Sequence, residues 1–171
     1  EKHGLILFDV GYHNNFFEST RRLPFSLYGK ITPVFHSEHQ TASNRLRSLG
    51  YEAEQVKFII ISHFHADHIA GVKDFPNARF ICSQEAWDSI KYRRGFSALR
   101  QGFIPSLLPI DFESRLQLLV FNDNEHIKVN NILGPEYDLF TDGSLLLCQL
   151  PGHAAGPVSY THLTLPTMRT V

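Results

Sequence analysis

The most informative part of the sequence is Ile60-Ile61-Ser62-His63-Phe64-His65-Ala66-Asp67-His68, which places three imidazoles and one carboxylate directly after an apolar segment. On extended backbone, side chains two residues apart point the same way, so His63 and His65 can share one metal ion. Asp67 and His68 lie beyond the turn that follows and can reach a second ion. The spacing therefore predicts two adjacent metal ions.

A cluster of surface histidines in a loop is the alternative, because the chain contains 10 histidines and some will fall together by chance. The apolar run at residues 56–61, Val-Lys-Phe-Ile-Ile-Ile, predicts a buried strand that leads directly into the cluster. Imidazoles crowded at the end of a buried strand need partners for their ring nitrogens. A bound metal ion supplies such a partner, which favours the metal site.

Residues 62–68 resemble the His-x-His-x-Asp-His signature of the metallo-β-lactamase superfamily. Residues 4–11, Gly-Leu-Ile-Leu-Phe-Asp-Val-Gly, resemble the opening strand and turn of that family. Residues 150–156, Leu-Pro-Gly-His-Ala-Ala-Gly, resemble its Gly-His segment, which brings a third histidine to the first metal. The resemblance covers most of the chain and implies an α/β fold of the αβ/βα sandwich type.

The resemblance implies that His63, His65 and His153 hold one zinc ion and that Asp67 and His68 belong to a second. Three neutral imidazoles leave a fourth position for water, which zinc can acidify to hydroxide near neutral pH. In the family, a hydroxide between two ions attacks a carbonyl or related electrophile, and Asp67 would orient it as the catalytic residue. Histidine and carboxylate ligands also suit iron, manganese or cobalt.

Asp9 ends the first predicted strand, two residues before Gly11, and resembles the Asp-x-Gly turn that lies near the metal centre in the family. A carboxylate at this position can accept a hydrogen bond from a ligand histidine or from nearby backbone and so fix its orientation. The alternative is an aspartate that only forms the turn.

The family pattern continues past the Gly-His segment to a bridging aspartate and a final histidine, whereas residues 158–171 contain no Asp or Glu. The resemblance therefore implies a partial sandwich at residues 1–157, truncated at the C-terminus, that comprises the N-terminal half and part of the second half. Residues 158–171 resemble translated adapter-like tails, and we expect them to be non-native or disordered.

The composition, 171 residues with 43% hydrophobic and 19% charged side chains, predicts one globular domain. A formal net charge of −1 argues against a nucleic-acid partner, and no window approaches the roughly 18 apolar residues of a membrane span. Cys82 and Cys148 lie in apolar runs, which predicts buried free thiols and favours a cytoplasmic location. Nothing in these residues specifies an oligomeric state.

Strand-like runs alternate with helical patterns along the chain, as is typical of an α/β fold. The predicted strands lie at about residues 4–10, 56–62, 78–82, 116–121 and 144–150. The predicted helices lie at residues 40–49, at 84–93 with Ser83 as N-cap and Trp87 in the core, and, as a short turn among the ligands, at 66–71.

Residues 96–108 are apolar but interrupted by glycine and proline, which predicts either a mobile flap at a substrate entrance or ordinary packing over the core. The segment resembles lactonase-like members of the family, which open cyclic esters such as acyl-homoserine lactones. The resulting prediction is a metal-dependent hydrolase that opens a small lactone or ester with a metal-bound hydroxide.

Two alternatives stay open: a glyoxalase II-like thioester hydrolase, and a truncated fragment that binds metal without catalysis. The redox branch of the family carries a glutamate at the position of His65, so the histidine argues against that branch.

Overall fold

The computed structural model describes residues 2–121, 127–130, 134–150 and 155–163, which form two four-stranded sheets. The strands of the first sheet, all parallel and adjacent in chain order, are β1 (Leu5–Phe8), β2 (Val56–Ile60), β3 (Arg79–Ser83) and β4 (Leu116–Leu119). The strands of the second sheet, all antiparallel, are β5 (Ile127–Asn130), β6 (Gly134–Asp138), β7 (Leu145–Gln149) and β8 (Val158–Leu163). The α/β class predicted from the sequence is confirmed.

Helices connect the parallel strands, as parallel pairing requires. They are α1 (Asn15–Ser19), α2 (Ser26–Ile31), α3 (Ala42–Ser48), α4 (Ala66–Ile69), α5 (Gln84–Ile90) and α6 (Gly95–Leu99). The N-cap of α5 is Ser83, whose hydroxyl accepts the Ala86 N–H at 3.0 Å, and the apolar stripe of this helix, including Trp87, is buried. The predictions at residues 40–49, 66–71 and 84–93 thus correspond to α3, α4 and α5.

The first sheet is buried on both faces, which explains why its central strands are continuous apolar runs. Side chains alternate along β2, so that Ile59 packs with the helices and Ile60 packs against the second sheet. On β3, Phe80 likewise packs with the helices, and Ile81 packs against the second sheet. The protein is therefore layered as helices, parallel sheet and antiparallel sheet, in agreement with three layers of the predicted sandwich.

The segment at residues 96–108 is anchored in the core. It contains all but the first residue of α6 and a 3-10 turn at Pro105–Leu107, and the side chains of Ala98, Phe103, Ile104 and Leu107 are all buried. Of the two interpretations offered by the sequence, the structure supports packing over the core, because these four side chains belong to the buried cluster, although Phe96 at the start of the segment is 62% exposed.

The first residues of the tail predicted at 158–171 lie in the described part of the chain, and the non-native origin of this stretch stays a prediction. Residues 158–163 form β8, which pairs with β7 as the last strand of the second sheet. Side chains of this strand pack on the rest of the fold. Val158 is buried in the inter-sheet core, and the Tyr160 ring packs edge-on against the Phe8 ring with the centroids 5.2 Å apart. Residues 164–171 lie outside the described residues.

Cys82 and Cys148 are free and buried, as the sequence predicts. In the described part of the chain, none of the helices has the length and apolar character needed to cross a membrane.

Candidate metal centre

The four ligand-type residues between His63 and His68 lie at the carboxyl end of β2. The chain leaves the sheet after Ile60 and turns into α4, with His65 as the N-cap residue of that helix. A hydrogen bond of 3.0 Å from the Val10 N–H to the His68 carbonyl joins this turn to the loop that follows β1. Because β1 and β2 are parallel, their two loops meet at one edge of the sheet, which is where ligand sites form in such folds.

The imidazole rings lie side by side at this edge. The ring centroid of His63 is 4.6 Å from that of His65 and 4.0 Å from that of His68. His63 is buried, while His68 and Asp67 are partly exposed. The structure thus brings together four of the five predicted metal ligands; the fifth, His153, lies outside the described residues.

Asp9 joins the two loops and holds His68. Its backbone is in the left-handed region at φ 55°, where Asp is tolerated better than most residues. One carboxylate oxygen, Oδ1, accepts the Ser62 N–H at 2.8 Å, and the other, Oδ2, lies 2.7 Å from Nδ1 of His68. The sequence-based prediction that Asp9 accepts hydrogen bonds from a histidine of the motif and from nearby backbone is confirmed.

Ser62 connects this carboxylate to a second histidine. Its hydroxyl lies 2.7 Å from Oδ2 of Asp9 and 2.9 Å from Nδ1 of His63. The hydroxyl donates its single hydrogen to Oδ2 of Asp9 and therefore accepts from Nδ1–H of His63. That assignment leaves the lone pair of the His63 ring on Nε2, which is the arrangement a metal ligand needs.

The charges around His68 favour its protonated form in the metal-free chain. Burial disfavours the imidazolium, but hydrogen bonds to Asp67 and Asp9 outweigh it and raise the pKa of His68 to about 9. The hydrogen bond from His68 in turn lowers the pKa of Asp67. Asp9 holds the Nδ1 proton, so the Nε2 proton, which faces Asp67, is the one that a cation would displace.

The imidazole and carboxylate donors are of types that bind first-row metal ions, and one pair of donor atoms also has a suitable separation. Nε2 of His68 lies 3.3 Å from Oδ2 of Asp67. Two donors that are each about 2.0–2.2 Å from a tetrahedral zinc ion lie roughly 3.4 Å apart, so this pair could share an ion. Among the residues the structure describes, no three His, Cys, Asp or Glu side chains converge on a common point that could hold a metal ion.

The structure adds four residues to which the sequence analysis gave no role at the site: Ser62, Gly102, Tyr12 and Tyr28. Burial, followed by the charge of Asp67, raises the pKa of Tyr12; burial, Tyr12 and Asp67 raise that of Tyr28 to about 12. Both phenols therefore stay protonated at neutral pH near Asp67. Ser62 directly precedes His63, and that position was a usable signal; the other three are brought in only by folding.

Comparison with known proteins agrees with the fold. The family model of the metallo-beta-lactamase superfamily matches residues 1–163. The N-acyl homoserine lactonase AttM of Agrobacterium fabrum is 26% identical over 143 residues, which are 80% of this chain and 48% of that protein. The chain thus spans about half the length of this relative.

Two solved structures share the fold. An N-acyl homoserine lactone hydrolase, solved with the product N-hexanoyl-L-homoserine bound at its catalytic metal center, superposes with a TM-score of 0.60 at 19% identity, over 91% of this chain and 52% of that one. A probable metal-dependent hydrolase from Staphylococcus aureus gives a TM-score of 0.62 at 16% identity, over 94% and 50% of the two chains. With its signature at the carboxyl end of β2 and a family match over nearly its whole length, the chain belongs to the metallo-beta-lactamase superfamily.

Proposed function

We propose that this chain carries the metal-binding half of a hydrolase that opens small lactones or related esters. The observation that carries the proposal is the grouping of His63, His65, Asp67 and His68 at one sheet edge, with Asp9 and Ser62 fixing two of the imidazoles. Crowded imidazoles are costly to bury unless their ring nitrogens have partners, and a bound metal ion supplies such partners.

The residues divide into ligands and supports. His63 and His65, joined by His153, would hold one ion, and Asp67 and His68 would hold a second. Zinc is the expected metal, and iron, manganese or cobalt are compatible with the same donors. When bound, zinc acidifies water so that hydroxide is available near neutral pH.

Asp67 is the catalytic residue of the proposal. The hydrogen bond from His68 lowers the pKa of Asp67, so this carboxylate is ionised at neutral pH and can accept a hydrogen bond from a water molecule beside it. Its side chain is partly exposed, which leaves it accessible to a substrate. Neutral Tyr12 and Tyr28 near this carboxylate could donate hydrogen bonds to a substrate oxygen.

The lactone class is supported by the relatives. AttM is named an N-acyl homoserine lactonase, and a protein of the same fold holds N-hexanoyl-L-homoserine, a ring-opened lactone, at its metal center. A small-molecule substrate also agrees with a net charge of −1, which provides no general attraction for nucleic acid.

The test is metal content per chain by elemental analysis, together with hydrolysis of homoserine lactones and of thioesters. Variants His63→Ala and Asp67→Ala remove proposed ligands, and His39→Ala, an exposed histidine on another element, is the matched control. We expect zinc to copurify with the wild type and with His39→Ala and to be reduced in both ligand variants.

The assays separate the alternatives. Lactone turnover that is lost in the ligand variants would support the proposal, and turnover of thioesters alone would favour the glyoxalase II-like alternative. Metal binding without any turnover would favour a non-catalytic fragment, which the half-length match to AttM makes a specific rival. A wild-type chain that binds no metal would overturn the metal centre itself.

A further inference from the structure

A glycine turn from a distant segment lies directly against one of the proposed ligands. Gly102 follows α6 in the left-handed region at φ 63°. A Cβ atom at this position would lie 2.7 Å from Cδ2 and 3.0 Å from Nε2 of the His65 ring. Carbon atoms in non-bonded contact normally stay about 3.5–4.0 Å apart, so only a residue without a side chain allows this approach.

The turn itself has a defined hydrogen-bond pattern. The Gly102 N–H donates to the Leu99 carbonyl at 3.0 Å, and the Phe103 N–H donates to the Ala98 carbonyl at 3.1 Å. These two bonds are those of a Schellman motif, in which glycine takes the left-handed position after a helix. Conformation and close approach thus both require glycine here.

The turn cannot retreat from His65 without disturbing the core. Ala98 and Phe103, which flank it, are both buried in the cluster between the helices and the first sheet. Gln101, within the turn, lines the same small cavity as the His63 and His65 rings. A side chain added at residue 102 would therefore be accommodated mainly by displacement of the His65 imidazole.

We propose that Gly102 is a positioning residue: by presenting bare backbone to His65, it lets the imidazole occupy the orientation in which it meets His63. The inference rests on the proposed metal centre for its functional meaning, since His65 is one of the ligands named there. It extends the site to the turn after α6, a segment that the ligand motif does not include.

The chain contains a matched control for this proposal. Gly50 follows α3 in the same motif, with its N–H bonded to the Arg47 carbonyl and the Tyr51 N–H bonded to the Leu46 carbonyl, both at 3.0 Å. Its φ is 84°, yet a Cβ atom there would meet nothing within 4 Å. Alanine at either position is strained by the left-handed backbone, but only at residue 102 does it also meet a histidine.

The experiment compares Gly102→Ala with Gly50→Ala in three measurements: thermal unfolding of the metal-free chain, cobalt titration with its absorption spectrum, and NMR of the His65 ring. We expect both variants to lose thermal stability. We expect Gly102→Ala alone to bind cobalt about 10–100-fold more weakly, with an altered spectrum, as is common when the support of a ligand is lost. Equal cobalt affinity and equal spectra in the two variants would overturn the proposal.

A metal-free readout separates this inference from the proposed function. In wild-type protein stripped of metal, we expect a nuclear Overhauser effect between the Gly102 α-protons and Hδ2 of His65, and a shift of the His65 ring resonances in Gly102→Ala but not in Gly50→Ala. If the wild type binds no cobalt, the metal centre fails and these resonances still decide the positioning role. Absence of the effect, or unchanged His65 resonances in Gly102→Ala, would contradict it.

Discussion

Asp9 and His68 form an ion pair, with Oδ2 of Asp9 2.7 Å from Nδ1 of His68, although 59 positions separate them in the sequence. The pair exists because β1 and β2 are parallel neighbours, so that the loops after both strands leave the same edge of the sheet. Asp9 then reaches across to the ligand motif and fixes the ring that the second ion would use.

Replacement of Asp9 by Asn tests this fixation. Asn tolerates the left-handed backbone at residue 9 and keeps an oxygen for the Ser62 N–H, but its amide group donates where Oδ2 accepted. His68 must then accept at Nδ1 and carry its proton on Nε2, which removes the metal-binding lone pair. We expect metal affinity about 10–100-fold lower in Asp9→Asn, measured by zinc or cobalt titration, with the tautomer change visible in imidazole ¹⁵N shifts.

Asp142 provides the control for loss of a carboxylate. It lies at an exposed turn, where it contacts Lys2 at 2.6 Å and His3 at 2.8 Å and none of the proposed ligands in the described part of the chain. We expect Asp142→Asn to bind metal as the wild type does. A similar loss of affinity in both variants would point to net charge as the cause and would count against a specific role of Asp9.

Removal of the Ser62 hydroxyl tests the support of His63. Ser62→Ala leaves Nδ1 of His63 without this partner in a buried position and Oδ2 of Asp9 without it in a part-buried one, so we expect the free energy of unfolding to fall by about 1–3 kcal/mol. Metal affinity should fall as well, because the His63 tautomer is no longer selected. Urea unfolding of the metal-free chain and metal titration measure the two effects. Ser62→Thr keeps the hydroxyl and should restore most of both; a Thr variant as damaged as Ala would assign the effect to space instead of hydrogen bonding.

The central strands could be predicted from the sequence because they are buried on both faces. β2 and β3 are short apolar runs between turn signals, and β7 is similar, so each stands out by composition alone. β6 could not be found in this way, because its sequence is Gly-Pro-Glu-Tyr-Asp and both Gly and Pro disfavour strands. Its place in the sheet depends on pairing with β7, which is a tertiary effect.

The grouping of the motif histidines at one sheet edge could be predicted because they lie close together in the sequence, whereas the residues that contact them could not. His63, His65 and His68 fall within six residues after a predicted strand, and their role as metal ligands stays a prediction. The contact of Gly102 with His65 has no sequence signal, since a glycine after a helix indicates only a helix end. Which side chain that glycine meets is set by how α6 packs on the core.

The layer order predicts different costs for two neighbouring leucines on β4. Leu119 is 1% exposed and packs between the two sheets, while Leu118 is 38% exposed. We expect Leu119→Ala to lower the free energy of unfolding by about 2–5 kcal/mol and Leu118→Ala by less than about 1 kcal/mol, as measured by urea unfolding. Equal costs would mean that the second sheet does not cover this face in solution.

The two cysteines should report on the packing of both sheets through their reactivity. Cys82 is buried between the first sheet and the helices, and Cys148 is buried on β7. Burial, and secondarily Asp88, raises the pKa of the Cys82 thiol; burial, and secondarily Glu136, raises that of Cys148. Since the thiolate is the reactive form, both residues should be alkylated slowly by iodoacetamide in the native chain at pH 8.

The raised pKa values of the two thiols also make the free energy of unfolding depend on pH. Folding favours the neutral thiols, so their contribution is complete below the unfolded thiol pKa of about 8.5 and is lost as the pH rises above it toward the raised folded values. We therefore expect the free energy of unfolding to decline above about pH 8.5, with a smaller decline in Cys82→Ala.

The alkylation prediction is measured by mass spectrometry of chains treated with iodoacetamide with and without urea. We expect both thiols to react quickly only in urea. Rapid native alkylation of Cys82 would contradict its place beneath the helices, whereas rapid alkylation of Cys148 alone would show that the second sheet opens first.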